Sequence, residues 1–234
     1  LYAVADANLY VYPGPANGDG LCERPNLANF TRPALYGTDV LGLTRGMQYP
    51  VRDGTLPAIA QSYPGAIRFY RFGVHEGVDQ YRTESPRGYG IGHPVLAIGA
   101  GEVARSTLLY TPLTREEFDS LLDESADLGL TPEEILTRLS GRQVIIDHGN
   151  GIRTVYSHLD SIAPGVVTGA RVMVGQEIGT VGVTGTEGEI RPGSVGAHLH
   201  YEFQIGGRYL GGGITIRETM WWLEQIFGMG AQAP

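Results

Sequence analysis

A mainly β chain with one helical interruption is predicted for these 234 residues, and three observations predict it. The apolar runs are short and are cut by 35 glycines and 14 prolines, the punctuation of many tight turns. Residues 196–203, GAHLHYEF, alternate so that Leu199, Tyr201 and Phe203 share one strand face and His198, His200 and Glu202 the other. Residues 114–140 break that pattern, with apolar residues at helical spacing behind capping signals.

Composition removes several function classes. All 17 basic residues are arginine, so no lysine exists for a P-loop, a Schiff base or a biotin or lipoyl attachment. A net charge of −8 argues against nucleic acid as a partner. The single Cys22 allows no internal disulfide and no cysteine-rich zinc site. No GxSxG elbow is present. No apolar run approaches the roughly 18 residues of a membrane span. The chain opens at Leu1 rather than Met, and a signal peptide or membrane anchor is expected upstream.

Taken in order, residues 1–62 read as a loop-rich extension, with the turn-dense YPGPANGDG and no periodic apolar face. In FYRFGVHEGVDQY, residues 69–81, His75 and Asp79 share a face if the segment is extended, and Gly77 between them leaves room for an ion. An ordinary surface pair fits that spacing as well. Strands follow at 95–98 and around Val103, with His93 an exposed loop residue. Then Thr114 with Glu117 makes a capping box ahead of Phe118, Leu121 and Leu122, and Gly129 ends that helix. Thr131, Pro132 and Glu134 start a second one, with Ile135, Leu136 and Leu139 as its face. Eight acidic residues against Arg115 and Arg138 place most of the net charge here, as expected of a helical hairpin inserted into a sheet and forming a peripheral cap. QVIID, the turn HGNG and residues 152–158 form a hairpin on which Thr154, Tyr156 and His158 share a face. Residues 166–185 are short β-branched runs cut by glycine, 187–195 a polar loop, and 216–227 a C-terminal helix docked by Trp221 or Trp222.

The histidines and carboxylates suggest a metal. Catalytic zinc takes three protein ligands and keeps its fourth position for water, and His75, Asp79 and His200 would supply two nitrogens and one oxygen. His198, two residues from a ligand on the same face, and His158, at the end of its hairpin strand, would move the water's proton and stabilise the tetrahedral intermediate. A solvated polar strand face and a purely structural metal site remain alternatives at this point.

The series HEGVD, VIIDHGNGIRTVYSHL, VGQEIGTVGVTG and GAHLHYEF, in that order over about residues 63–205, resembles the lysostaphin/LytM-type (β-lytic) zinc metallopeptidases. The resemblance implies an antiparallel β-sheet or sandwich core of duplicated hybrid-motif type with a groove. It further implies one Zn²⁺ per chain and hydrolysis of peptide bonds in bacterial cell-wall peptidoglycan. His75, Asp79 and His200 match the family's metal ligands. His198 matches the first histidine of HxH and His158 that of YxHL, both catalytic in the family. His148 falls in a family-like HGxG turn and is read as structural. Glu202 is assigned to orienting a histidine, Tyr70 to the oxyanion side or to packing, and Tyr156 to the surroundings of the metal or the substrate.

The metallopeptidase core is expected over 63–215, with the helical insertion at about 107–141 and the C-terminal helix and tail over 216–234. That insertion and the long link between Gly185 and Gly196 depart from the family pattern. The expected setting is the cell envelope or extracellular space, acting as a monomer on peptidoglycan peptide, with the N-terminal extension shielding the groove and Asn26 or Asn29 reaching the metal. The competing class is a non-catalytic LytM-like module that binds the wall and activates other hydrolases; here every ligand position is filled.

Overall fold

The computed structural model describes residues 2–3, 9–10, 39–81, 90–193 and 196–229. Asn26 and Asn29, and with them the expected shielding of the groove, lie outside the described residues. Every strand pairing among the described residues is antiparallel. Two short pairs come early, β1 (Tyr2–Ala3) with β2 (Leu9–Tyr10) and β3 (Ile67–Arg68) with β4 (Gly73–Val74). The main sheet has seven strands. Its path runs β11 (Arg171–Val172), β7 (Gly101–Ser106), β8 (Val144–Gly149), β9 (Ile152–Ser157), β13 (His198–Ile205) and β14 (Arg208–Tyr209). The seventh, β5 (Val78–Tyr81), pairs with the first half of β13. A three-stranded sheet orders β10 (Leu159–Ile162), β12 (Glu177–Val181) and β6 (Pro94–Leu96).

β13 organises this arrangement as its alternation predicts. Leu199, Tyr201 and Phe203 are buried in one core with Val144, Ile146 and Ile152 of the neighbouring strands. The same core takes Trp222, Leu223 and Ile226 from the terminal helix, Ile216–Phe227, and also Val40, Tyr49 and Val51. Residues 39–62 therefore help to build the domain, although the sequence reads them as part of an extension. Thr215 and Glu218 close a full capping box at the terminal helix, with Thr215 N–H donating to Glu218 Oε2 at 2.8 Å.

The insertion fits between β7 and β8. Its first helix, α2 (Arg115–Leu128, counting the short Val40–Leu43 as α1), starts at Thr114, whose hydroxyl accepts from Glu117 N–H at 3.1 Å. It stops at Gly129, where φ is 66°. The expected capping box is only half made, because the Glu117 carboxylate accepts instead from Arg138 Nε and Nη2 at 2.6 and 3.0 Å. Thr131 likewise does not cap the second helix, α3 (Glu133–Leu139): Pro132 takes that position, and the Thr131 hydroxyl donates to the carbonyl of Arg71. Leu113, Phe118, Ile135 and Leu139 form a second, smaller core.

The polar loop expected over 187–195 contains a one-turn helix, α4 (Glu187–Ile190). Glu189 Oε2 accepts from Tyr110 OH at 2.7 Å, Gly185 N–H at 3.0 Å and Leu113 N–H at 3.2 Å, and Ile190 packs on the smaller core. The insertion and the long link are thus one structure, built by a carboxylate that the spacing of neither segment reveals.

Candidate active site

Strand register makes the site. His200 on β13 pairs with Asp79 on β5, and directly opposed residues share a face. Sequence places these residues 121 apart; the ladder places their side chains together. His75 enters from the turn before β5, its backbone N–H donating to Ala66 O at 2.8 Å and its Nδ1–H to Tyr63 O at 3.1 Å. Gly77 between them is required by contact. A Cβ there would lie 2.5 Å from Tyr201 O and 2.7 Å from the His200 ring. The space it leaves is filled by that ring and strand, which replaces the expected room for an ion as the reason for the glycine.

His75 Nε2, Asp79 Oδ1 and His200 Nδ1 form a triangle with edges of 2.9, 2.9 and 3.0 Å. Among the described residues these three make the metal-capable group, with all ligand atoms within 4.8 Å of one another. A tetrahedral zinc with bonds of about 2.0–2.1 Å sets its ligand atoms roughly 3.3 Å apart, so the triangle needs to open only slightly. The donor chemistry fits too. His75 spends its Nδ1 proton on Tyr63, so its Nε2 lone pair faces a carboxylate oxygen, an opposition that calls for a positive charge between them. Without a metal that charge is a proton on His200. Burial lowers the pKa of His200, but Asp79 and Glu202 outweigh burial and bring it up to about 9. Burial also holds His75 neutral, with its pKa lowered to about 4. Burial opposes ionisation of Asp79 as well, yet His75 and the hydrogen bond from His200 hold its carboxyl well below the usual range.

The other two candidate histidines lie against this triangle. The His198 ring Nε2 is 3.8 Å from Asp79 Oδ1, and its Nδ1–H donates to Gly196 O at 3.0 Å. Its ring is stacked on Tyr81 at 4.6 Å between centroids. The His158 ring centroid is 4.9 Å from that of His198 and 5.7 Å from that of His200. The Nδ1–H of His158 donates to Thr184 O at 2.8 Å. Both rings are therefore held with Nε2 as a free lone pair, and burial lowers both pKa values so that the neutral form prevails. His158 adopts φ +60°, a left-handed conformation that a non-glycine residue keeps only when clamped. The clamp is the exit of the insertion, since His158 N–H donates to Ser140 O at 3.0 Å.

Glu202 Oε1 lies 3.4 Å from His200 Nε2, and Gln204 Nε2 donates to Glu202 Oε2 at 2.7 Å. Tyr70 sits on the turn Phe69–Arg71 and is 58% exposed. Tyr156 must be corrected. It is fully buried in the core beneath β13, where its hydroxyl accepts from Ile98 N–H at 2.7 Å, and so it meets no substrate. It lies opposite Tyr201 in the ladder and shares its core face, while His158, two residues on, sits beyond the strand end with a different backbone. His148 donates Nδ1–H to Ala100 O at 2.9 Å and has Nε2 2.8 Å from Thr154 Oγ1, which ties the hairpin as its structural reading requires.

Three neighbours escaped the sequence. Arg68, one residue before the informative stretch, donates Nη2–H to Asp79 Oδ2 at 2.9 Å. Tyr81 and the Thr184 carbonyl also escaped, because stacking and backbone acceptance leave no pattern in spacing.

Comparison with known proteins adds similarities over part of the chain. Residues 131–211 match the model described as peptidase family M23. The chain is similar to the peptidoglycan DD-endopeptidase ShyC of Vibrio cholerae, 39% identical over 79 residues that make up 34% of this chain and 16% of that protein. It is also similar to the DD-carboxypeptidase/endopeptidase Mpg of Neisseria meningitidis, 43% identical over 70 residues, 29% of this chain and 14% of that protein. The chain thus spans a small part of these relatives' own length. Among solved structures it is similar to the catalytic domain of the antimicrobial peptidase lysostaphin from Staphylococcus simulans. There the TM-score is 0.37 and identity 20%, over 74% of this chain and 93% of that one. The family match contains His158, His198 and His200 and begins after His75 and Asp79.

Proposed function

From the match of residues 131–211 to the peptidase family M23 model, we propose that this chain is a zinc-dependent endopeptidase hydrolysing peptide bonds of bacterial peptidoglycan. The observation that carries the reading is the convergence of His75 Nε2, Asp79 Oδ1 and His200 Nδ1 beside two neutral histidines. These three atoms would hold the ion. Zinc, when bound, supplies Lewis acidity and lowers the pKa of a coordinated water towards about 7.

The chain's own residues do the rest. Glu202 accepts from His200 Nε2 and so turns Nδ1 towards the triangle. Gly196 O and Thr184 O fix the tautomers of His198 and His158, and both rings present Nε2 as a base. One ring takes the proton of the attacking water. Either ring, once protonated, donates from Nε2 to the developing oxyanion or to the leaving amine. Burial keeps both neutral at rest, and the loss of their charge in that state makes them ready acceptors.

A wall substrate requires action in the envelope or outside the cell. The relatives named for peptidoglycan activity support that setting. The test is digestion of purified sacculi with the zinc-loaded protein, reading new termini by mass spectrometry. New peptide termini that vanish on chelation are the expected result. A zinc-loaded protein that leaves every sacculus intact while cleaving casein overturns the substrate, and one that cleaves neither overturns the enzyme.

A further inference from the structure

The two oxygens of Asp79 have different partners. Oδ1 faces His75 Nε2 and His200 Nδ1, whereas Oδ2 accepts from Arg68 Nη2 at 2.9 Å. The same Arg68 nitrogen donates to Gln61 O at 3.0 Å, which ties it to the backbone as well as to the carboxylate. This pair is withdrawn from solvent, the side chains being 14% and 9% exposed. Arg68 and His75 also belong to one small frame. Arg68 pairs with Gly73 across the β3–β4 ladder, and His75, next after β4, exchanges backbone hydrogen bonds with Gly65 and Ala66, both at 2.8 Å.

We propose that Arg68 is the positioning residue of this centre: by holding Asp79 through Oδ2 it presents Oδ1 alone to a metal ion. This inference rests on the metal reading given above. Two effects of a guanidinium on cation binding oppose each other. Its charge repels the ion, but the carboxylate lies between them and is shared by both. Its removal leaves a buried carboxylate oxygen with no donor, free to rotate away from the histidines or to take up a proton. Loss of an outer partner of a metal ligand costs about 10–100-fold in affinity, so orientation outweighs repulsion.

The experiment measures zinc dissociation constants by chelator competition on the wild type, R68Q, R68K and H75A, with folding of each metal-free form followed by circular dichroism. R68Q is expected to bind zinc about 10–100-fold more weakly than the wild type. R68K is expected to stay within about threefold, because one ammonium nitrogen can reach both Asp79 and Gln61 as Nη2 does. H75A, which removes a ligand, is expected to lose zinc and so verifies the centre independently. R68Q binding zinc as tightly as the wild type, or more tightly, while H75A loses it overturns the role of Arg68 and leaves the metal reading standing. A wild type that binds no zinc overturns both. R68M, which keeps the stem without the donors, takes the place of R68Q if that variant does not fold.

Discussion

Two arginine–carboxylate pairs show how little geometry alone says about importance. Arg138 grips Glu117 with two nitrogens at 2.6 and 3.0 Å, whereas Arg68 reaches Asp79 with one at 2.9 Å. The better-made pair matters less. Its side chains are 25% and 39% exposed, so water and salt supply most of what it offers. The Arg68–Asp79 pair lies among buried imidazoles, where little water is at hand to replace a lost partner. The same contrast separates the whole regions. One face of β13 holds a cluster of buried imidazoles and carboxylates; the insertion holds a small apolar core under a solvated acidic surface.

The largest break in this comparison is expected from His200→Ala. It removes a ligand, the donor to Glu202 and the residue opposite Asp79, so zinc content measured by mass spectrometry should collapse and hydrolysis with it. Zinc lost from His198→Ala but kept by His200→Ala would exchange the two roles.

Next come His158→Ala and His198→Ala, which are expected to keep one zinc per chain and lower turnover about 10²–10⁴-fold. These variants divide the buried region itself into a part that binds and a part that moves protons. A zinc-free His158→Ala would place that residue among the ligands.

In the insertion, Phe118→Ala is expected to cost about 3 kcal/mol of local stability, seen as faster amide exchange across α2 and α3. Zinc should remain. Turnover should fall by less than in His158→Ala, because the insertion reaches His158 through backbone atoms, the Ser140 carbonyl among them, and not through Phe118. Loss of zinc would make the insertion integral to the main core rather than a satellite.

The smallest effect should be Glu117→Gln, about 0.3–0.5 kcal/mol at neutral pH, screened by solvent. Hydrogen bonds from Arg138 hold the Glu117 carboxyl below its ordinary value of 4.5 in the folded protein. A lowered folded pKa contributes stability that is present above 4.5 and is lost as pH falls through the depressed value. The wild type and Glu117→Gln should therefore converge in thermal unfolding as pH falls below 4.5 and through the depressed value. A difference that persists in acid would assign the effect to packing.

Local physics was readable from the chain alone. Alternation in HLHYEF sorted a core face from a chemical face, because strand side chains alternate whatever surrounds them. Thr114 and Gly129 bounded a helix, because an N-cap hydroxyl and a left-handed glycine act within one turn. The terminal helix emerged with its bounds intact for the same reason. Tertiary structure decided whatever depends on which surfaces meet. Glu117 and Thr131 had local partners available and took Arg138 and the Arg71 carbonyl instead. Tyr156 shared a predicted face with His158 and went to the core. Above all, the antiparallel ladder set Asp79 opposite His200, and its neighbouring hairpin delivered Arg68 to the same carboxylate. Spacing along a chain encodes direction relative to the next turn or strand face; which distant face it meets is set by the burial of the whole core.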